Sequence, residues 1–215
     1  MREAKKVFVT DFDGTMTTYD FYTLVSRQLL SVDTPDYWSE YRAGRLTHFE
    51  ALRNYFAAIQ ADEATVLQLV EQMEIDPHLA EAVAELQQRG WKIVIASAGC
   101  TWYIERLLAR AGVQIETHAN PGHFETGHGL LMDLPFQSPF FSPTHGIDKA
   151  GLVKHYLDSD AEIAFAGDGF PDVPAALLTP AERRFARGDL KDVLLQAKEP
   201  FRPFHRWSDI ARELL

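Results

Sequence analysis

Two short acidic clusters carry most of the chemistry that can be read from the sequence. Asp11-Phe12-Asp13-Gly14-Thr15 sets two carboxylates two residues apart, directly after the apolar run Val7-Phe8-Val9. Carboxylates this close raise one another's pKa unless a cation lies between them. Turn formation by Asp and Gly accounts for Gly14, but not for a second carboxylate and a threonine at the mouth of a strand. Gly167-Asp168-Gly169-Phe170-Pro171-Asp172 repeats the arrangement after Ile163-Ala164-Phe165-Ala166, with glycines where a ligand has to come close. The competing reading of this second cluster is a polar turn whose Asp172 caps the next helix. Hard oxygen donors from two strand ends suit Mg²⁺, and the chain has a single cysteine.

Two further residues stand at comparable places. Ser97 follows Ile93-Val94-Ile95-Ala96 and precedes Ala98-Gly99 and a helix expected from near Thr101. A hydroxyl beside the free N–H groups of a helix start forms a cradle for phosphate. Lys149, in Gly146-Ile147-Asp148-Lys149-Ala150, opens a helix. The macrodipole disfavours a cation there, which points to an anionic partner. Each has an ordinary explanation when taken alone, since serine caps many helices and most lysines are solvated.

The elements that must position these residues alternate along the chain. The three apolar runs already quoted read as buried strands, with Val113-Gln114-Ile115 and Arg184-Phe185-Ala186 as weaker ones. Leu79, Val83 and Leu86 recur at helical spacing and stop before Gly90; Ile104, Leu107, Leu108 and Ala111 do so before Gly112. Alternating strands and helices imply an α/β fold with a three-layer, Rossmann-like parallel sheet core. From about Tyr19 to Ile75 only helical signals occur, at Phe21 to Leu30, Phe49 to Ile59 and Ala64 to Met73. The reading is a core formed by residues 1–18 and 76–215, with a small helical cap, residues 19–75, inserted after the first strand. Ligands bind at the carboxyl edge of such sheets, so the cap would act as a lid. The irregular stretch His118 to Ile147 offers a hairpin over Phe124 to Met132 and a loop over Phe136 to Thr144. A last short helix is expected to end at Leu215.

A net charge of −10, from 31 acidic and 21 basic residues, argues against non-specific nucleic-acid binding. No stretch has the ~18 apolar residues of a membrane span, and no signal peptide fits ahead of the first strand. A cytoplasmic location is expected, as a monomer or homodimer. The lone Cys100 can form no intrachain disulfide and has no base placed near it. His118, His123, His128 and His145 match no usual zinc spacing.

In order and spacing the four elements resemble the haloacid dehalogenase superfamily of phosphotransferases. They match its D-x-D-x-T loop, its Ser/Thr after the second strand, its lysine and its G-D-x-x-x-D loop, from Asp11 to Asp172. The resemblance implies that Asp11 is the nucleophile and forms an aspartyl-phosphate. Asp13 would protonate the leaving oxygen and then activate water. Mg²⁺ would be held by Asp11, the Asp13 carbonyl and Asp168, with Asp172 a ligand or a support. Ser97, Ala98 and Lys149 would grip the phosphoryl group. The expected partner is a small phosphorylated metabolite.

The helical insertion resembles that of the phosphoserine-phosphatase-like branch. Asp20 falls where those enzymes carry a Glu for the substrate amine, and Tyr55 where they carry an arginine for its carboxylate, with Arg53 nearby as a substitute. A nearer resemblance is to the methionine-salvage phosphatases for 2-hydroxy-3-keto-5-methylthiopentenyl-1-phosphate. It rests on Asp20, Pro35 and Trp38, His118-Ala119-Asn120, Asp172 to Ala176, and Phe185-Ala186-Arg187. Two positions depart from that pattern. Ser138 to Pro143 replaces a cysteine-rich loop, and Pro171 replaces a polar residue and lacks an N–H. A phosphomutase or phosphotransferase of the same superfamily is an alternative. So is a non-catalytic phosphate-binding relative, whose mark would be a missing Asp or Lys; none is missing.

Overall fold

The computed structural model describes residues 5–214, so the expected helix end at Leu215 lies outside the described residues. Strand β1 (Lys6–Thr10) is at the middle of the sheet, and α1 (Phe21–Gln28), α2 (Tyr37–Arg42), α3 (His48–Ala57) and α4 (Glu63–Glu71) follow it without an intervening strand. Then come α5 (Leu79–Gln88), β2 (Trp91–Cys100), α6 (Thr101–Arg110), β3 (Glu116–Asn120), and the hairpin β4 (Gly122–Glu125) and β5 (Gly129–Met132). The chain continues through β6 (Phe141–Ser142), β7 (Gly146–Ile147), α7 (Lys149–Leu157), β8 (Glu162–Gly167), α8 (Val173–Leu178), β9 (Arg184–Ala186), α9 (Gly188–Ala197), β10 (Arg202–Pro203) and α10 (Trp207–Leu214). The main sheet has the order β10-β9-β8-β1-β2-β3, and all of its pairs are parallel.

Side chains alternate across the sheet, which gives three layers. Val7, Val9, Val94, Ile163 and Phe165 face α7, α8 and α9 through Leu152, Ala176 and Leu190. Phe8, Ile93, Ile95 and Ala166 face the other way, against α5, α6 and α10. Both faces are covered, so the strands read as unbroken apolar runs. Phe8 stacks on Trp207 at 5.2 Å, and the indole donates to Thr10 Oγ1 at 3.0 Å. Loss of that buried indole would cost about 3–5 kcal/mol.

The helical segment is closed at its base. Thr17 pairs with Ile75, Thr18 N–H donates to Glu74 O at 3.0 Å, and Tyr19 N–H donates to Met73 O at 3.1 Å. Its helices are capped by Asp20, Asp36, Asp62 and a Thr47–Glu50 capping box. Their buried residues, among them Phe21, Phe49, Phe56, Val66 and Leu69, belong to the same continuous core as one face of the sheet.

The structure corrects several expected boundaries. Helix α2 was not legible because it is six residues long and buries none of them, so it leaves no apolar period. Strand β2 continues past Ala96 to Cys100, with a register shift against β3 over that stretch. The strand expected at 113–115 lies instead at Glu116–Asn120. Val113 belongs to the end of α6, where Gly112 is left-handed (φ 71°) and Val113 N–H bonds back to Leu108 O at 3.1 Å. Phe141–Ser142 pairs with Gly146–Ile147 within the stretch expected to be loop. Among the described residues, no helix is long and apolar enough to cross a membrane.

Candidate active site

Parallel pairing fixes the first encounter. Thr10 lies opposite Ala166, and Asp11 N–H continues the ladder to Ala166 O at 2.9 Å. Asp11 and Asp168 therefore emerge side by side at the carboxyl edge. Asp11, Asp168 and Asp172 each bring a carboxylate oxygen within 4.8 Å of the others. Lys149 is the first residue of α7 and is buried, with Nζ 2.9 Å from Asp11 Oδ2 and 2.6 Å from Asp172 Oδ1. Asp172 Oδ2 accepts the N–H groups of Asp168 and Gly169, both at 3.0 Å. Asp172 thus ties the lysine to the loop that carries Asp168. These donors precede Pro171, so the missing proline N–H takes nothing from Asp172.

The turn after Asp13 closes on the same spot. Thr15 Oγ1 donates to Asp168 Oδ1 at 3.2 Å. Gly14 is left-handed (φ 64°), and a Cβ there would lie 2.2 Å from Asp168 Oδ2; only glycine allows this approach. Burial, then the charge of Asp172, lifts Asp11 well above the ordinary carboxylate range despite the opposing pull of Lys149. Burial and Asp172 likewise push Asp168 up to about 8. Burial works to lower the Lys149 pKa, but the charges of Asp11 and Asp172 outweigh it and hold the ammonium above its usual range. Three carboxylates against one ammonium leave excess negative charge in a buried place, which is costly without a further cation. This donor set fits a hard divalent ion such as Mg²⁺.

Asp13 faces different company. Its Oδ2 accepts from Tyr103 OH at 2.9 Å and from Ser97 Oγ at 3.3 Å, and its Oδ1 accepts from Phe21 N–H at 3.3 Å. Its carboxylate is not one of the three that converge. Burial and the nearby charge of Asp20 push it up to about 7, against the pull of Tyr103, the Phe21 N–H and Lys149. Ser97 is buried in the bulged end of β2, where its Oγ also accepts Gly99 N–H at 2.9 Å. A Cβ on Gly99 would sit 2.5 Å from Asp13 Oδ2. Ala98 contributes its backbone, and its carbonyl is held by the buried Asn120 Nδ2 at 2.7 Å.

Of the residues considered for substrate choice, Asp20 alone comes near this centre. It caps α1 through Thr23 N–H at 2.7 Å. With Gly14, Arg27, Asp168 and Arg187 it lines a cavity of about 330 Å³. Arg53 is exposed, with its guanidinium 5.9 Å from the Phe49 ring centroid. Tyr55 is buried among Tyr22, Tyr37 and Trp38, and its hydroxyl is bonded to Trp38 N and Asp36 Oδ1, both at 3.2 Å. Cys100 is buried and its thiol is pushed up to about 12, mainly by burial. Sequence reasoning missed Tyr103, which sits inside an ordinary amphipathic helix pattern; its place in the first turn after the Ser97 bulge was the available signal.

Residues 8–177 match the family model described as haloacid dehalogenase-like hydrolase, as the four motifs led us to expect. A 2-hydroxy-3-keto-5-methylthiopentenyl-1-phosphate phosphatase of Microcystis aeruginosa is 27% identical, over 98% of both chains. A phosphoserine phosphatase of Albidiferax ferrireducens is 28% identical over 61% of this chain and 57% of its own. Among solved structures, a substrate-bound phosphoserine phosphatase complex shares the fold with a TM-score of 0.66 at 15% identity, over 95% of each chain. The chain therefore belongs to the haloacid dehalogenase-like hydrolase family, among relatives named as phosphatases.

Proposed function

We propose that the protein is a Mg²⁺-dependent phosphomonoesterase that cleaves a small organic phosphate through an aspartyl-phosphate on Asp11, with residues 19–75 serving as its cap. The observation that carries this reading is the division of labour within the first pair. Asp11 is ion-paired to Lys149 at 2.9 Å, while Asp13, two residues on, is bonded to Tyr103 and Ser97 hydroxyls. Lys149 together with a bound divalent cation would hold Asp11 ionised against its burial, while Asp13 carries a proton near neutral pH.

Asp11 Oδ attacks phosphorus in line as the bond from phosphorus to the leaving oxygen breaks. Asp13, with its pKa about 7, gives its proton to that oxygen, so an alcohol departs. Water then attacks the phosphorus of the aspartyl-phosphate, Asp13 takes its proton, and the P–O bond to Asp11 breaks to release inorganic phosphate. Lys149 draws charge from the phosphoryl oxygens, and the Ser97 hydroxyl and the backbone at Ala98 hold them in place. A divalent cation bound by Asp11 and Asp168, with Asp172 in support, would neutralise the site so that a phosphate dianion can approach Asp11.

For the substrate, the full-length relative favours a sugar-like keto phosphate of the kind in its name. Phosphoserine is the second reading, on the relative that matches 61% of this chain and on the position of Asp20. Arg53 is exposed on the Phe49 ring and Tyr55 has no positive charge, so neither supplies the fork that would take a carboxylate. The test is phosphate release with Mg²⁺ from both substrates and from p-nitrophenyl phosphate. Turnover that requires Mg²⁺ supports the reading. Equal turnover in EDTA removes the metal role, and transfer of label to a second alcohol instead of water would mark a phosphotransferase.

A further inference from the structure

Arg187 stands at the end of β9 and takes no part in the chemistry above, yet its side chain crosses to the turn of the first motif. Its Nε donates to Gly14 O, its Nη2 to Thr17 O, and its Nη1 to His205 O at 2.8 Å. The guanidinium also lies 5.4 Å from the Phe204 ring centroid. One planar group thus joins three carbonyls that come from two distant parts of the chain. The backbone around Arg187 grips the other acidic loop: Arg187 N–H donates to Gly167 O at 3.2 Å and Leu190 N–H to Asp168 O at 2.9 Å. Gly188 is left-handed and so close to that loop that a Cβ would lie 2.8 Å from Asp168 O.

Gly14 and Thr15 are the residues of the turn that press on the Asp168 carboxylate, and Thr17 begins the passage into the helical segment. Arg187 also lines two cavities, the one beside Asp20 and a second of about 370 Å³ lined by Thr17, Glu74, Asp76 and Arg206. We propose that Arg187 is a positioning residue of this site: it clamps the Gly14–Thr17 turn onto the Asp168 loop, and so sets how closely Asp11 and Asp168 can share one cation. The inference rests on the phosphatase reading for the purpose of that cation, while its test rests on binding and exchange.

Arg184 is a matched control. It lies three residues earlier, at the start of β9, is buried, and donates to Thr179 O at 3.0 Å and to Glu199 Oε2 and Pro200 O, both at 3.1 Å. None of these partners belongs to the acidic loops. Mg²⁺ affinity by titration calorimetry and amide hydrogen exchange of the metal-free protein would be compared in the parent, Arg187→Met, Arg187→Lys and Arg184→Met. Arg187→Met is expected to weaken Mg²⁺ binding by about tenfold or more and to speed exchange at Thr15, Met16 and Thr17. Lysine cannot span three carbonyls, so Arg187→Lys should show a smaller change of the same sign. Arg184→Met should lower the melting temperature and leave Mg²⁺ affinity as in the parent. Unchanged affinity and exchange in both Arg187 variants would overturn the inference, as would an equal shift in Arg184→Met. If Arg187→Met does not fold, the lysine variant decides by the same two readings. A parent that binds Mg²⁺ but hydrolyses no phosphate would sink the function proposed above and leave this comparison to be decided by its own result.

Discussion

The two sides of the site differ in what surrounds their carboxylates. On one side Asp11, Asp168 and Asp172 meet around Lys149, and charge faces charge. On the other side Asp13 is met by the hydroxyls of Tyr103 and Ser97 and by one backbone N–H. Residues two apart in the sequence are thereby given unlike surroundings, because a strand end sends one toward β8 and the turn sends the next toward α6. The first motif is therefore divided in its surroundings, and on the function proposed above one side would hold a cation and the nucleophile while the other would move a proton.

The strongest way to break this comparison is Asp11→Asn. It should lower kcat on p-nitrophenyl phosphate by about 10⁴-fold or more, with the fold kept by circular dichroism. Asp13→Asn should cost about 10²–10⁴-fold. The loss should be greater on an alkyl phosphate than on p-nitrophenyl phosphate, since p-nitrophenolate leaves without a proton. Equal losses on both substrates would put Asp13 on the wrong side of the division.

The two sides together make a prediction about stability. Asp13, with its pKa about 7, and Asp168, about 8, both stand above the ordinary value of 3.8. A carboxyl raised in the folded state binds its proton more tightly there than in the unfolded chain. Its contribution is complete below pH ~4 and is lost as pH rises through the folded values. In EDTA the melting temperature should therefore fall between pH 5 and pH 8. Mg²⁺ at a hundred times its Kd should add about 2.7 kcal/mol and flatten that slope; no response to Mg²⁺ would contradict the cation side. The smallest expected effect belongs to Tyr103→Phe. The Tyr103 hydroxyl lowers the Asp13 pKa, so its loss should move the alkaline limb of kcat/KM upward by about one pH unit. Asp11→Asn and Asp168→Asn should leave Tyr103's influence on Asp13 in place.

The charged side was legible in the sequence, since its carboxylates follow apolar strands and its lysine opens a helix. Strand ends in a parallel sheet share one edge, so sequence order alone predicts that these residues meet. The parts that stayed hidden depend on tertiary packing. Tyr103 is one of several apolar-face residues of α6, and nothing in its period says that its hydroxyl reaches Asp13. Arg187 acts through the carbonyls of Gly14, Thr17 and His205, a choice of partner that leaves no mark on residue type. Tyr55 illustrates the reverse case: a position suggestive of substrate contact is occupied by the aromatic packing of its own helices.

The most direct measurement is a rapid acid quench during turnover, borohydride reduction, and mass spectrometry of the peptide spanning the first motif. A trapped acyl-phosphate reduced to homoserine at position 11, absent when Mg²⁺ is withheld, is the expected result. Steady turnover with no modified residue, or reduction at a different aspartate, would contradict it.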